Sequence, residues 1–226
     1  NVIPFRQKGE AKPEVAAVPP YAELVAATNF SFLRGASKGE DMVLTALMLA
    51  HTGIGIADRN TVAGVVRAFA ALNRIREDGL PAPTKVREGG SPGEHAWVEH
   101  PEAEKIIDPA AFKEKAKAFR LIVGSRLVFT DGTPDIVAYP ENRNGWGRLC
   151  RLLSIGNQRP PPGKKRATKG ECRITFDDLL AYSDDLLLII MPPEKLDGLP
   201  ETVERLQEAR PGAVWIGASM HRRGRD

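Results

Sequence analysis

The stretch "YAELVAATNFSFLRGAS", residues 21–37, decides the fold, because it reads as a short strand near 21–27 running into a turn that closes on Gly35 and Ser37. Ser37 is followed three residues later by Glu40, the spacing of a capping box, and this predicts a helix over about 38–51. Working outward, "GIGIAD" at 53–58 is a second strand, and the next helix is predicted from about Thr61 to Glu77. This βαβα opening places functional groups at the carboxyl ends of strands. At the first such end, however, Val25, Ala26 and Ala27 can neither bind a metal nor move a proton.

Upstream, residues 1–20 mix proline, alanine and charge without periodicity and read as a flexible leader ending at Pro19 and Pro20. Downstream, residues 79–109 are rich in proline and glycine and are expected to form a surface insertion. The core resumes with "FRLIVGSRLVFTD" at 119–131, followed by a strand at "DIVAYP" (135–140) and a helix over 142–156. A buried strand at "DLLLIIMP" (185–192), a helix over 194–209 and a strand at "AVWIGA" (213–218) complete the pattern. Apolar strands separated by helices predict a mostly parallel sheet, covered on both faces or closed into a barrel. The chain stops at "SMHRRGRD" just after a strand, so a barrel cut there is expected to be the N-terminal part of something longer.

At 226 residues, 42% hydrophobic and 27% charged, the composition is that of a globular protein with a sizeable core. The formal net charge of +3 is too small for a global cationic field to argue for nucleic acid. Cys150 and Cys172 lie in no CxxC motif and suit a reducing cytosol. The longest apolar run, "LLLIIM" at 186–191, is far short of the roughly 20 residues of a membrane helix. The expected location is cytoplasmic, with no membrane partner.

The strand ends supply Thr28, Asn29, Ser31 and Arg34; Asp58, Arg59 and Asn60; Ser125 and Arg126; and His221, Arg222 and Arg223. This set is rich in arginine and poor in metal donors. Taken in order, "YAELVAATNFSFLRGAS", "GIGIADRNTVAGVVRA" (53–68), "RLIVGSRLVFTDG" (120–132), "GWGRLCRLLSIG" (145–156) and "KGECRITFDDLLAY" (169–182) resemble the polymerase-and-histidinol-phosphatase (PHP) domain. That domain opens bacterial replicative DNA polymerase III alpha subunits, and the blocks are most similar to those of the error-prone, damage-tolerant relatives. The resemblance covers the chain from Tyr21 onward. It implies an α/β fold, a distorted (β/α)7 TIM-like barrel of the PHP type, truncated at its C-terminal end.

Metal-binding members of that family hold a trinuclear site of His, Asp and Glu. Matched motif to motif, the first strand's two histidines fall on Val25 and Ala27, and the aspartate of the next turn on Arg34. The second strand's histidine falls on Arg59, the third strand's acid on Arg126, and a later ligand on Arg223, with His221 two residues early. A further histidine would lie near Pro134 or Asp135, whereas Asp58 matches the family's aspartate. Apolar side chains donate nothing and guanidinium repels cations, so no catalytic or metal residue is assigned. Arg34, Arg59, Arg126 and Arg223 with Asp58 are a candidate anion or salt-bridge cluster replacing metal, set against a reading as separate, solvated arginines.

The loop "NQRPPPGKKRATKGE", 157–171, carries Arg159, Lys164, Lys165, Arg166 and Lys169. Lys164, Lys165 and Arg166 are candidate DNA contacts, the alternative being a solvated loop. His95 and His100 are read as loop histidines; Trp146 and Cys150 are read as core. The resemblance implies a non-catalytic structural module of a translesion polymerase, whose partners would be the rest of that chain, primer-template DNA, mutasome accessory proteins and the sliding clamp. No cofactor is expected in this segment; magnesium would belong to the parent's palm. The competing readings are a metal-dependent phosphoesterase or 3′-5′ exonuclease, and a single-stranded DNA-binding module.

Overall fold

The computed structural model describes residues 20–79, 109–193, 196 and 198–218. One six-stranded sheet, in chain order, is built from β1 (Ala22–Ala26), β2 (Gly53–Arg59), β3 (Arg120–Leu127), β4 (Ile136–Pro140), β5 (Leu186–Ile190) and β6 (Val214–Ile216). Helices α1 (Gly39–Met48), α2 (Ala63–Asp78) and α3 (Pro109–Ala118) accompany β1 to β3. Helices α4 (Arg143–Gln158), α5 (Phe176–Ala181) and α6 (Leu199–Ala209) accompany β4 to β6.

Period-two alternation divides the strands between two faces. On the helix side, Ile54 and Ile56 join Val43, Leu47, Leu72, Ile75, Phe112 and Phe119 in one core. Leu127, Ile136, Leu186 and Leu188 join Leu149, Leu152, Leu179 and Leu206 in a second. The other face is also apolar: Ala57, Val137, Tyr139 and Met191 pack with Val25, Ile122, Leu187 and Ile189. Tyr139, on β4, donates its hydroxyl hydrogen to the Leu24 carbonyl on β1. In a flat sheet those strands would be about 14 Å apart, so the sheet is curled into a half-barrel with this cluster inside. Gly55 and Gly124 make room for the ring, since a Cβ at either would overlap Tyr139. Burial pushes the Tyr139 hydroxyl well above the ordinary tyrosine range, and the charge of Glu23 adds to the effect.

The expected mostly parallel sheet needs one correction. β1, β2 and β3 are parallel, as are β5 and β6, but β4 is antiparallel to both neighbours. The β3–β4 connection, 128–135, is too short for a crossover helix and makes a hairpin instead. It turns at Gly132, φ 88°, with Asp131 accepting hydrogen bonds from the Thr133 amide and hydroxyl.

Other expectations shift locally. Lys38, not Ser37, occupies the N-cap of α1, and it makes no side-chain cap. The Ser37 carbonyl instead accepts from the Asn29 amide, closing the preceding loop. The capping box that does form is at α5, between Thr175 and Asp178. The last helix begins at Leu199 rather than 194, behind Gly198 at φ 75°. Nearly all of the leader (1–20) and of the insertion (79–109), including His95 and His100, lie outside the described residues, as do His221, Arg222 and Arg223.

Candidate functional site

Because β4 runs backwards, its amino end meets the carboxyl ends of β1, β2 and β3 at one rim of the half-barrel. The rim is organised around Asp58, which is fully buried. Its Oδ1 accepts from the Thr28 amide at 2.8 Å and the Ser31 hydroxyl at 2.6 Å, and its Oδ2 from the Thr28 hydroxyl at 2.8 Å. The Ser31 hydroxyl oxygen also accepts from the Arg59 amide at 3.0 Å. Gly64, in the first turn of α2, has no room for a Cβ because Asp58 Oδ2 and Thr28 Oγ1 occupy that space. The carboxylate thus sits where the positive end of a helix dipole favours it and ties the β1–α1 loop to β2.

This placement corrects the expected cluster. Asp58 shares the parity of Ile54 and Ile56 and faces the helices, whereas Ala57 and Arg59 fall on the opposite, concave side. Asp58 is therefore not the acid around which the arginines gather. Arg59 and Arg126 are register partners on adjacent strands and share the concave face. Arg126 alone has an acid: its Nε donates to Asp135 Oδ2 at 2.7 Å across the β3–β4 hairpin. Arg34 and Arg59 are exposed, and among the described residues neither has a salt-bridge partner. No two of the described guanidinium groups share a carboxylate.

At the matched positions on and just after β1, the described residues offer no metal donor. Val25 packs into the apolar interior and Ala27 is half-buried, so neither has a donor atom to offer. Among the described residues no group of three His, Cys, Asp or Glu side chains could hold an ion.

In the basic loop, Arg159 separates from its neighbours. Its two terminal nitrogens donate to Asp178 Oδ2 at 2.6 Å and Oδ1 at 2.8 Å, and Nη1 also reaches the Arg173 carbonyl at 3.1 Å. The Arg159 hydrogen bonds, helped by the Thr175 amide and hydroxyl and opposed by burial, hold the Asp178 carboxyl down to about 2. Arg159 is a structural clamp at the end of α4. Lys164, Lys165, Arg166 and Lys169 are all exposed. Trp146 and Cys150 are half-buried on α4, and Cys172 is half-buried beside Gly156, where burial pushes its thiol up to about 11. That protonated, shielded thiol has little nucleophilic character at neutral pH.

Residue-type reasoning missed Tyr139, whose signal was two strand-interior glycines facing an aromatic. It also missed the exposed pair Phe30 and Phe32 beside the rim.

No family model matches the chain. An error-prone DNA polymerase of Rhodopseudomonas palustris (strain BisB5) is 40% identical over 211 residues, which are 92% of this chain and 15% of that protein. Those of Brucella abortus and Caulobacter vibrioides are 39% and 37% identical, again over 92% of this chain and 15% of theirs. The chain therefore spans a small part of the curated relatives it matches. Among solved structures, a Bifidobacterium adolescentis protein described as a metal-dependent phosphoesterase superposes with a TM-score of 0.50. The match covers 88% of this chain and 77% of that one at 10% identity, a likeness of fold.

Proposed function

Starting from a chain homologous to a segment of bacterial error-prone DNA polymerases, with a TIM-like PHP half-barrel fold, we propose that it serves such a polymerase as a non-catalytic structural and interaction module. The observation that carries the proposal is the chemistry of the rim. Positions that match the family's metal ligands hold Val25, packed in the apolar interior, Ala27, half-buried and without a donor, and Arg59 and Arg126, side by side as cations.

On this reading the Arg126–Asp135 ion pair does the mechanical part of a metal's work, joining β3 to β4 across the rim without a Lewis acid. The principal partner is the remainder of the polymerase chain. Primer-template DNA, the sliding clamp and mutasome accessory proteins engage the assembled enzyme, and magnesium-dependent extension across damaged template belongs to its palm. A phosphoesterase or 3′-5′ exonuclease reading would need several converging donors; among the described residues no three His, Cys, Asp or Glu side chains converge, and Asp135 at the rim is already bound to Arg126.

The test is elemental metal analysis of the purified chain, paired with hydrolysis of a generic phosphodiester and a 3′-ended oligonucleotide in added manganese or zinc. No bound metal and no turnover above the blank is the expected result. Near-stoichiometric metal, with hydrolysis that a chelator abolishes, would overturn the proposal.

A further inference from the structure

Beside the rim lies an open cleft of about 590 Å³ that the proposed function does not use. One wall is the β1–α1 loop, carrying Phe30 and Phe32; the floor is Arg59 and Asn60 with Phe129; the far wall is Asn157, Gly170 and Cys172, the two ends of the basic loop. Among the described residues no carboxylate lines it.

The two aromatics are held out in solvent by a rigid base. Phe32 is 82% and Phe30 43% exposed, while Thr28 and Ser31 in the same loop are buried on Asp58. The Asn29 amide bonds the Ser37 carbonyl at 2.8 Å, so the loop is closed at its neck. Leu33 has φ 59°, a left-handed conformation unfavourable for a side chain of its kind, which the pinned base sustains. Asn60, at φ 51°, bonds both the amide and the carbonyl of Val128, fixing the floor.

One cation lines the cleft and others lie in the loops that border it. Arg59 lies in the cleft, Arg34 follows Leu33 in the loop, and Lys164, Lys165, Arg166 and Lys169 stand on the far wall's loop. All are exposed, and among the described residues none has a carboxylate within salt-bridge distance. A cleft lined by exposed aromatics and Arg59, bordered by cation-bearing loops and without a carboxylate among its described lining residues, is complementary to a polyanion with stackable faces rather than to an apolar helix.

We propose that this cleft binds single-stranded DNA, with Phe30 and Phe32 stacking on bases and Arg59 and the basic loop meeting phosphates. Only the choice of DNA over RNA rests on the relationship to DNA polymerases. The site itself requires neither a metal nor the scaffold role, so its failure and that of the proposed function are read by different experiments.

Fluorescence anisotropy of the 226-residue chain tests it. The probes are a labelled oligothymidylate of about 20 nucleotides, longer than the roughly 4–16 that one such groove covers, a duplex of equal length and an oligouridylate. Each is titrated between about 50 and 200 mM salt. The oligothymidylate should bind best. Phe30→Ala with Phe32→Ala should weaken it at least about thirtyfold with the salt slope unchanged. Lys164→Gln, Lys165→Gln and Arg166→Gln together should lower the slope by about 2, at about 0.7 per phosphate.

Circular dichroism and thermal melting confirm that each variant is folded, which such exposed positions allow. Absence of binding, equal affinity for duplex, preference for oligouridylate, or a Phe30/Phe32 variant that binds like the parent would each overturn the proposal. So would an unchanged DNA affinity accompanied by conversion of a dimer to a monomer in sedimentation, which would assign the aromatics to a second copy of the chain.

Discussion

Asp58 and Arg59 are adjacent in sequence and could hardly differ more in circumstance. Asp58 faces the helices, fully buried, with both oxygens satisfied by Thr28 and Ser31. Arg59 faces the concave side, exposed, opposite another arginine. A strand's two-residue alternation lets one element carry a rigid structural node and an unconstrained rim together. A rim position such as Arg59, whose side chain has no salt-bridge partner among the described residues, can change its chemistry while the strand end beneath it stays put.

The largest effect should therefore come from the buried side. Asp58→Ala strands the Thr28 amide and hydroxyl and the Ser31 hydroxyl, and should cost about 3–5 kcal/mol in urea unfolding. Gly64→Ala attacks the same node by intrusion rather than deletion, since its Cβ would overlap Asp58 Oδ2. It should cost about 1–3 kcal/mol. If both variants unfold like the parent, the contrast between the two faces is wrong.

Much of this division was legible in the sequence. Ile54, Ile56 and Asp58 share a parity, as do Ala57 and Arg59, and alternation alone places Asp58 away from the arginines. Considering Asp58 only as a member of a metal-site motif hid that. The reversal of β4 was harder to see, because an apolar strand reads alike in either direction and only the short 128–135 connection betrays a hairpin. Helix α3 went unassigned in the sequence reading, although Phe112 and Ala116, both buried in the structure, stand at helical spacing. The Ser37–Glu40 spacing misled because the Ser37 carbonyl is engaged by Asn29 in closing a loop, a tertiary demand that no local pattern records.

Tyr139→Phe probes the concave face where it is structural. It removes the hydroxyl that binds the Leu24 carbonyl across the half-barrel, and should cost about 1–2 kcal/mol in thermal or urea unfolding. Val25→Ala, in the same interior, would separate loss of packing from loss of that hydrogen bond.

Asp178 sharpens the comparison through pH. Its folded value of about 2 lies below the ordinary carboxyl value. Its contribution is fully present above about pH 4 and is lost as pH falls through about 2, on the order of 2 kcal/mol in all. Urea midpoints measured from pH 5 downward should show that loss, and Arg159→Ala should shrink it by releasing the carboxyl towards its ordinary value. Identical acid profiles for parent and variant would mean that the bidentate clamp contributes nothing.

The smallest effect should be at Arg59, and its sign is the informative part. Arg59 and Arg126 are cross-strand neighbours of like charge, an unfavourable pairing. Asp135 neutralises Arg126 at 2.7 Å, but the pair is partly exposed and screened. Arg59→Ala should change stability by less than about 0.5 kcal/mol, in the stabilising direction at low salt, and the gain should fade as salt rises and the repulsion is screened. With Asp135→Asn as background, Arg126 loses its counterion, so removing Arg59 should then stabilise more. A destabilising Arg59→Ala would mean that this arginine supports the rim, and the boundary between the fixed part of β2 and its unconstrained end would have to be redrawn one residue further along the strand.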